Sequence, residues 1–294
     1  MSGRSLYYKK EILDAVNFAD ANIREDISWC DAAEDAWHSG WHFHRIFAAC
    51  TGITLSDYIR RRRLSLAAEE MCRKNKRIID IAYDFRFSHE QSFIRAFKRE
   101  FGITPGTFRK RKIPLTIFPR ITASTILNKN KNDYQIVLCH GFKLAGKRHV
   151  VNYEENNLHS VCSILTKEFI GKYVPAFEAK RAETLFAYDE KIRGDSHNFY
   201  TMPSVRIDDK AKIPSGFDVK EIPFHLSYRT VWGFTRPLSE IPNPEIEKIY
   251  IDLYDKKIVS SGYSVSGRYD YSSSLLQPSG KKNSFAINIP VMEN

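Results

Sequence analysis

The first third of the chain contains an internal repeat that constrains its fold more than any other feature. Three short patterns recur 49 or 50 residues apart: Asp31-x-Ala33-x-Asp35 as Asp80-x-Ala82-x-Asp84, Phe43-x-Arg45-x-Phe47 as Phe93-x-Arg95-x-Phe97, and Gly52-Ile53-Thr54 as Gly102-Ile103-Thr104. Each copy is about 25 residues long and fits two short helices joined by a turn, the second ending at a C-capping glycine. The repeat therefore predicts an all-α domain with two helix-turn-helix motifs.

The second helix of each copy has an apolar face and an opposite face that we expect to be exposed. Residues at i, i+3, i+4 and i+7 share one side of a helix. The apolar sides are Phe43, Ile46, Phe47 and Cys50 in the first copy, and Phe93, Ala96 and Phe97 in the second. The opposite sides are Trp41, His44, Arg45 and Ala48, and then Gln91, Ile94, Arg95 and Lys98. Arginine pairs with guanine, glutamine with adenine, and apolar groups with the thymine methyl, so these faces suit reading of a major groove. The alternative is a helical bundle with ordinary charged faces.

A long amphipathic segment, about residues 55–75, lies between the two copies and follows Thr54, a candidate N-cap. As a helix of ~20 residues it would span ~30 Å. This is close to the ~34 Å of one DNA turn, so it could place two recognition helices in successive major grooves. Its arginine run, 60–63, cannot point in one direction, because helical neighbours diverge by ~100°. We expect one or two of these arginines to reach phosphate and the others to be solvated.

The charge distribution indicates an anionic partner. The chain has 294 residues, a length typical of two domains, and a formal net charge of +10. Residues 1–112 contain 21 Lys and Arg against 15 Asp and Glu, a balance of +6 in the shorter part of the chain. Five scattered cysteines without a C-x-x-C pair favour reduced thiols over disulfides or zinc. No apolar run is long enough to cross a membrane, and we expect a cytoplasmic protein.

At these residues the chain resembles the AraC/XylS family of transcription regulators. The matching strings are W-H-F-H-R-I-F, Y-I-R-x-R-R-L, and the long signature from Ile78 to Pro105 that includes F-x-R-A-F-K-R-E-F-G-I-T-P. The resemblance covers residues 8–112 in the arrangement of the Rob type, where this domain is amino-terminal. It implies a DNA-binding activator that binds an asymmetric site of duplex DNA as a monomer, with RNA polymerase as a further partner. The base-reading residues that it implies are Trp41, His44 and Arg45, and then Glu90, Gln91, Ile94 and Arg95, with Lys98 alongside.

Several positions depart from the family pattern. Glu90 and His44 replace glutamines, and an acid at position 90 could accept a hydrogen bond only from cytosine. Trp37 and Arg86 stand where many relatives have the glycine of the turn. That glycine adopts a positive φ, which costs about 1 kcal/mol or more for another residue.

The pattern changes after residue 112, where prolines and a polar patch at 128–133 precede strand-like segments. This predicts a domain at 1–112, a linker at 113–133 and a second, α+β domain at 134–294. The second domain reads as two β-α-β-β repeats. Paired strands are predicted in YQIVLCHGFKLAGKRHVV, helices in LHSVCSILTKEFIGKYV and PEIEKIYIDLYDKK, and strands in ETLFAYDE, NFYTMPSVRI, HLSYRTVWGF, SGYSVSGRYDY and NSFAINIPV. This order resembles the GyrI-like effector-binding fold.

The GyrI-like resemblance implies a cleft between the two repeats that binds a small amphipathic effector. Candidate lining residues are Tyr188, Phe199, Tyr200, Trp232, Phe234, Tyr269 and Tyr271. The family's glutamate has no direct counterpart, because Asp270 is only near its place, and a neutral or anionic ligand is at least as compatible as a cation. Alternatively, these aromatics simply fill the core of the domain.

Other function classes find less support in the sequence. It contains no P-loop, no G-x-G-x-x-G and no G-x-S-x-G, so we expect no enzyme activity and no cofactor. His38 and His42 are four residues apart, but no acid or cysteine stands at ligand spacing, so no metal site is predicted. The competing interpretations are a small-molecule binding or sequestering protein with a secondary DNA-binding module and, less favoured, a GyrI-like hydrolase.

Overall fold

The computed structural model describes residues 3–31, 40–126, 134–152, 158–173, 182–187, 198–209, 211–234, 243–266, 269–274 and 283–294. The chain forms two compact units. The first comprises Met1–Asn132 with Ser260–Gly262, and the second comprises Asp133–Val259 with Tyr263–Asn294.

The helices of the first unit are α1 (Gly3–Ala21), α2 (Gly40–Thr51), α3 (Leu55–Arg73), α4 (Ile78–Asp84), α5 (Glu90–Phe101) and α6 (Pro105–Arg111), and a short strand β1 (Leu115–Ile117) follows them. An all-α helix-turn-helix domain is therefore present, as the repeat predicts. Trp37 and the rest of residues 32–39, where the sequence predicts the opening helix of the first motif, lie outside the described residues.

Each copy of the repeat ends at a glycine with a positive φ, and a threonine that caps the start of the next helix follows two residues later. Gly52 and Gly102 have φ values of 81° and 76°, left-handed conformations that favour glycine. Two residues later, Thr54 accepts a hydrogen bond from Asp57 N at 3.1 Å, and Thr104 accepts one from Thr107 N at 3.2 Å. These threonines cap α3 and α6, and a good N-cap stabilises a helix by ~1 kcal/mol. The N-cap predicted at Thr54 is confirmed.

A core of aliphatic and aromatic side chains joins α1, α2 and α3. It contains Ile12, Val16, Phe43, Phe47, Leu55, Tyr58 and Ile59. The segment after α6 contributes to the same core, because Ile121 and Ile126 are buried in it and Phe118 packs against it. The Phe118 backbone is held on both sides, since its N–H donates to Ser65 Oγ at 2.9 Å and its carbonyl accepts from Arg62 Nη1 at 3.3 Å. The described part of the predicted linker therefore packs within the first unit, which extends to Asn132.

The second unit contains most of the strands. They are β2 (Tyr134–Cys139), β3 (Phe142–Gly146), β4 (His149–Asn152), β5 (Ala182–Ala187), β6 (Asn198–Ile207), β7 (Asp218–Ile222), β8 (His225–Phe234), β9 (Tyr263–Val265), β10 (Tyr269–Ser274) and β11 (Asn283–Glu293). The helices are α7 (Leu158–Tyr173) and α8 (Asn243–Ile251), and α8 continues as a π-helical segment, Asp252–Ile258. When the short strands β4 and β9 are left aside, strand, helix, strand, strand occurs twice, as β3-α7-β5-β6 and β8-α8-β10-β11, in the predicted order; β7 is a strand that the sequence analysis did not predict.

The strand-helix-strand-strand groups β3-α7-β5-β6 and β8-α8-β10-β11 form the two halves of this unit. The halves meet at the antiparallel pair β5·β10, and each also pairs with the strand that precedes the other half. Across the sheet the order is β2-β8-β11-β10-β5-β6-β3-β7. The strand that precedes each half therefore pairs with the first strand of the other half, β2 with β8 and β7 with β3. The β2–β3 connection passes close to the β7–β8 connection. A Cβ added to Gly141 would lie only 3.2 Å from Ile222 O.

This exchange corrects one sequence prediction. The segment YQIVLCHGFKLAGKRHVV forms strands as expected, but β2 and β3 pair with β8 and β7 and not with each other. Only His140 and Gly141 separate β2 from β3. Sequence patterning indicates which residues are extended, but it does not indicate which distant strand each will meet.

Candidate nucleic-acid interface and effector site

The α2 helix buries its apolar face, as its periodicity predicts, but only Arg45 of the described side chains on the opposite face is exposed, and Ala48 there is half-buried. Phe43 and Phe47 are buried, and Ile46 and Cys50 pack against the same core. Arg45 is exposed, whereas His44 is half-buried beside Trp29, with ring centroids 5.1 Å apart. Trp41 belongs to α2, but its side chain lies outside what the structure describes.

The α5 helix has the same arrangement. Phe93 and Phe97 are fully buried, and their ring centroids are 5.6 Å apart. On the other side, Gln91, Arg95 and Lys98 are exposed, and Glu90 and Ile94 are half-buried. Three of these side chains are therefore accessible at i, i+4 and i+7, one stripe of a helix. All five predicted residues lie at the surface or at its margin.

The α3 helix connects the two motifs and packs against both α2 and α5. Its 19 residues give it a length of ~28 Å at 1.5 Å per residue. This is close to the spacing of successive major grooves on one face of a duplex, ~34 Å. The first unit thus has two helices, α2 and α5, with exposed side chains opposite a buried face. The helix α3 that joins them is long enough to place them in successive major grooves.

The arginines of the run on α3 are engaged by other protein groups, although Arg60 and Arg61 remain 29% and 33% exposed, and this corrects the expectation that most of the run is simply solvated. Each of its four members has a protein partner. Arg60 pairs with Asp57 at 3.1 Å, Arg61 with Glu100 at 2.6 Å, and the almost fully buried Arg62 with Asp20 at 2.9 Å. Arg63 donates to Ile23 O at 3.0 Å and Glu25 O at 2.7 Å. Arg61, Arg62 and Arg63 therefore connect α3 to α5, α1 and the segment after α1, whereas the shortest ion pair of Arg60 is within α3.

A second ionic cluster fixes the other end of α3 to α4. The carboxylate of Glu70, only 5% exposed, accepts hydrogen bonds from Arg24 and pairs with Lys76 at 3.1 Å. Lys76 also pairs with Asp84 at 2.6 Å. Burial acts to raise the pKa of Glu70, but the hydrogen bonds from Arg24 and Lys76 outweigh it and hold the pKa at about 2. Glu70 is therefore ionised throughout the ordinary pH range.

The turn of the second motif has the strained conformation that the sequence comparison predicts. Arg86 adopts a φ of 62°, which is uncommon for a residue with a Cβ. Its guanidinium donates to Arg24 O and, at 3.0 Å, to Glu25 Oε2. These hydrogen bonds attach the turn to the segment after α1 and offset part of the backbone strain.

The predicted effector residues of the second unit have different environments. Tyr200 on β6 is half-buried, with Arg148 over its ring at 4.9 Å from the centroid, and Trp232 on β8 is half-buried with Lys257 at 5.0 Å. Tyr188 lies outside the described residues. For Phe199, Phe234, Tyr269 and Asp270, the structure describes only the places on β6, β8 and β10.

Tyr271 is a core residue, 2% exposed, that packs with Leu144, Met202 and Ile222. Its hydroxyl lies 3.1 Å from His225 Nε2 and 3.6 Å from Cys139 Sγ. His225 Nδ1 is 2.9 Å from Pro223 O, an acceptor, so Nδ1 carries the hydrogen and Nε2 accepts from Tyr271. Burial lowers the pKa of His225, the hydrogen bond to Pro223 opposes this, and the charge of Arg206 lowers it further. This environment favours the core alternative for Tyr271.

Among the described residues, no group of three or more His, Cys, Asp or Glu side chains could hold a metal ion. None of the helices described is both long and apolar enough to cross a membrane.

The first unit's fold and its two exposed helix faces define the helix-turn-helix class of DNA-binding proteins. The family described as "Helix-turn-helix domain" matches residues 32–111. Regulatory protein SoxS of Escherichia coli (strain K12) is 38% identical over 104 residues, which are 35% of this chain and 97% of that protein. The transposon Tn10 TetD protein of Escherichia coli is 36% identical over 107 residues, 36% of this chain and 78% of that protein. The chain therefore belongs to the AraC-type family of helix-turn-helix transcription regulators.

The similarity to these relatives involves only about a third of the chain. The Right origin-binding protein of Escherichia coli (strain K12) is 36% identical over 99 residues, which are 34% of this chain and 34% of that protein. The family relationship thus concerns the first unit and DNA-binding regulation.

Proposed function

We propose that this regulator binds an asymmetric duplex site as a monomer and activates transcription by positioning RNA polymerase. In this proposal α2 and α5 each enter one of two successive major grooves, with His44 and Arg45 reading bases from α2, and Gln91, Ile94 and Arg95 from α5. Trp41, Glu90 and Lys98 complete the two reading faces. The observation that carries the proposal is the pair of exposed helix faces on a rod of ~28 Å.

The test is selection of duplex sites from a random pool with the full chain, followed by footprinting and mass measurement of the complex. We expect two protected stretches about one turn apart, without two-fold symmetry, and one protein chain per duplex. Binding should weaken steeply with salt, because phosphate contacts release counterions. A palindromic footprint or a dimeric complex would contradict the proposal.

We also propose that the second unit has the Rob-type role of an effector domain with a GyrI-like fold. Two features support this: the duplicated strand-helix-strand-strand order and the half-buried Tyr200 and Trp232. The ligand is a hydrophobic or amphipathic small molecule, bound with little preference for cations.

Trp232 fluorescence provides the test, with matched cationic, neutral and anionic amphiphiles titrated into the full chain and into a Trp232→Phe control. We expect saturable changes that the control lacks. Asp270→Asn should change the affinity for the cationic probe by less than about tenfold. A cation preference that Asp270→Asn abolishes would contradict weak charge selectivity, and no response to any probe would contradict the effector role.

A further inference from the structure

A cleft of about 270 Å³ lies inside the first unit, beside the turn of the second helix-turn-helix motif. It is formed by the segment after α1, the first half of α3 and the turn between α4 and α5. Its lining residues are Ile27, Ser28, Trp29, Ser56, Ile59, Arg60, Arg63, Phe85, Arg86 and Phe87. Its volume is near the lower end of the range of small-molecule pockets, ~300 Å³.

The charged residues that line the cleft are all arginines. These are Arg60, Arg63 and Arg86, and the described lining residues include no Asp or Glu, although Asp57 and Glu25 pair with Arg60 and Arg86 from outside the lining. Burial lowers the pKa of Arg63, Asp26 opposes this, and the nearby positive charge of Arg86 lowers it further. Arg63 and Arg86 are also brought together by Glu25, whose backbone oxygen accepts from Arg63 and whose carboxylate accepts from Arg86. An anion in the cleft would relieve the repulsion between these two cations.

The guanidinium of Arg60 is already engaged by a carboxylate. Its Nε and Nη2 donate to Asp57. Its Nη1 is buried and lies 3.7 Å from Glu100 Oε2. Arg60 therefore contributes mainly its positive charge to the surroundings of the cleft.

The remaining lining residues are mostly apolar. Trp29 and Phe87 supply half-buried aromatic rings and Ile27 supplies aliphatic surface, whereas Phe85 and Ile59 are buried behind them. A cleft that accepted only phosphate or chloride would not need these rings. Guanidinium groups beside aromatic rings are suited to a ligand with a carboxylate at one end and a planar apolar body.

We propose that this cleft is a binding site for a small organic anion with an aromatic body, such as an aryl carboxylate. The binding itself does not depend on the proposed function. Because the cleft contacts α3 and the turn before α5, its occupation would fix the turn of the second motif against α3. Where the protein binds DNA, the anion would therefore couple to the orientation of α5.

The test uses the full chain, labelled with ¹⁵N, and the probe 1-naphthoate. The chain has four tryptophans, so four indole N–H signals are expected, and Trp29→Phe identifies the signal of the cleft. We expect 1-naphthoate to shift the Trp29 signal saturably, and the neutral 1-naphthamide to bind at least about tenfold more weakly. The Trp232 signal reports separately on the second unit.

Two variants should abolish the Trp29 shift by different means. Arg86→Gly removes one guanidinium at a backbone conformation that glycine adopts readily. Ser56→Phe, at an exposed position on α3, fills the cleft without changing its charge. Arg111→Gln is the matched control, because it removes an exposed arginine of α6 that does not line the cleft. Circular dichroism confirms that each variant folds.

Loss of the naphthoate shift in Arg86→Gly and Ser56→Phe, with an unchanged shift in Arg111→Gln, would support the proposal. It would be overturned if naphthoate left the Trp29 signal unchanged, if naphthamide or inorganic phosphate bound as well as naphthoate, or if both cleft variants still responded. None of these results depends on DNA. A failure of DNA binding is therefore distinguishable from a failure of this proposal.

Discussion

Arg61 Nε donates a hydrogen bond of 2.6 Å to Glu100 Oε1 and thereby ties the middle of α3 to the last turn of α5. Arg60 lies 3.7 Å from the same carboxylate, and the Arg61 guanidinium also stacks over Phe118, 4.2 Å from the ring centroid. The α5 helix and the segment after α6 are therefore both attached to one arginine pair on α3. An arginine run that the sequence divides between phosphate contact and solvent is, in the structure, a connection between parts of the domain.

Replacing the exposed arginines of α2 and α5 should weaken specific DNA binding without unfolding the chain. Arg45→Ala and Arg95→Ala should each cost ~1–3 kcal/mol and relax preference at one or two base positions. Phe43→Ala and Phe97→Ala should instead destabilise the domain by ~3–5 kcal/mol by leaving cavities. Fluorescence anisotropy on selected and scrambled duplexes separates these effects. Equal losses of affinity for the selected and the scrambled duplex would indicate that the arginines contact phosphates and do not read bases.

The length of a stable amino-terminal fragment should depend on the segment after α6. A fragment of residues 1–112 lacks Phe118, Ile121 and Ile126, and it leaves Arg62 and Ser65 without their partners on Phe118. Burial of three such side chains contributes ~4 kcal/mol or more. Urea unfolding should therefore show 1–112 to be less stable than 1–132 by about this amount. Equal midpoints would mean that the segment contributes nothing to the domain.

Removing the charge of Glu70 should destabilise the first unit in a pH-dependent way. The pKa of about 2 lies below that of an unfolded glutamate, ~4.3, so the stabilisation is present above pH ~4.3 and is lost as pH falls towards 2. At pH 7, Glu70→Gln should cost ~2–3 kcal/mol, and its stability should depend less on pH below 4.3. Glu69→Gln is the control, because its pair with Arg73 is a surface i,i+4 pair worth ~0.3–0.5 kcal/mol. Thermal unfolding between pH 2 and 7 measures both; similar losses for the two variants would refute the role given to Glu70.

Replacing Arg86 by glycine should destabilise the first unit less than replacing it by alanine. At a φ of 62°, Arg86→Gly removes the hydrogen bonds to Arg24 and Glu25 but relieves backbone strain, whereas Arg86→Ala removes the bonds and keeps the strain. We therefore expect the alanine variant to be less stable than the glycine variant by ~1 kcal/mol. Chemical unfolding of both variants tests this, and a reversed order would show that the conformation is not strained.

The second unit should lose stability on mild acidification. The pKa of His225 is lowered mainly by burial, so below ~6.5 the unfolded chain binds a proton that the folded chain resists, and stability falls as pH falls. His225→Gln should flatten the stability of this unit between pH 7 and 5, measured by urea unfolding followed through Trp232 fluorescence. His149→Gln on β4 serves as the control and should retain the wild-type dependence. If the stability of His225→Gln depended on pH as the wild type does, His225 would not be the cause of the pH dependence.

Local features of the fold were predictable from the sequence, and long-range partnerships were not. The faces of α2 and α5 follow from the spacing of Phe43 and Phe47 and of Phe93 and Phe97, and the start of α3 from Thr54, because periodicity and capping depend on near neighbours. The partners of Arg61 and Arg62 are Glu100 and Asp20, 39 and 42 residues away, and no local pattern identifies them. Pro114 and Pro119 marked a linker, but the buried side chains between and after them attach it to the first unit.

The exchange of outer strands in the second unit has a consequence for its biosynthesis. Tyr134 pairs with Thr230 and Cys139 with His225, so β2 is made 86 to 96 residues before its partner. During translation at ~5–20 residues per second, this strand waits for several seconds with its edge unpaired. Contacts between such distant residues also slow folding, because a long loop must close first. The nascent second unit is therefore expected to be vulnerable to aggregation until β8 leaves the ribosome.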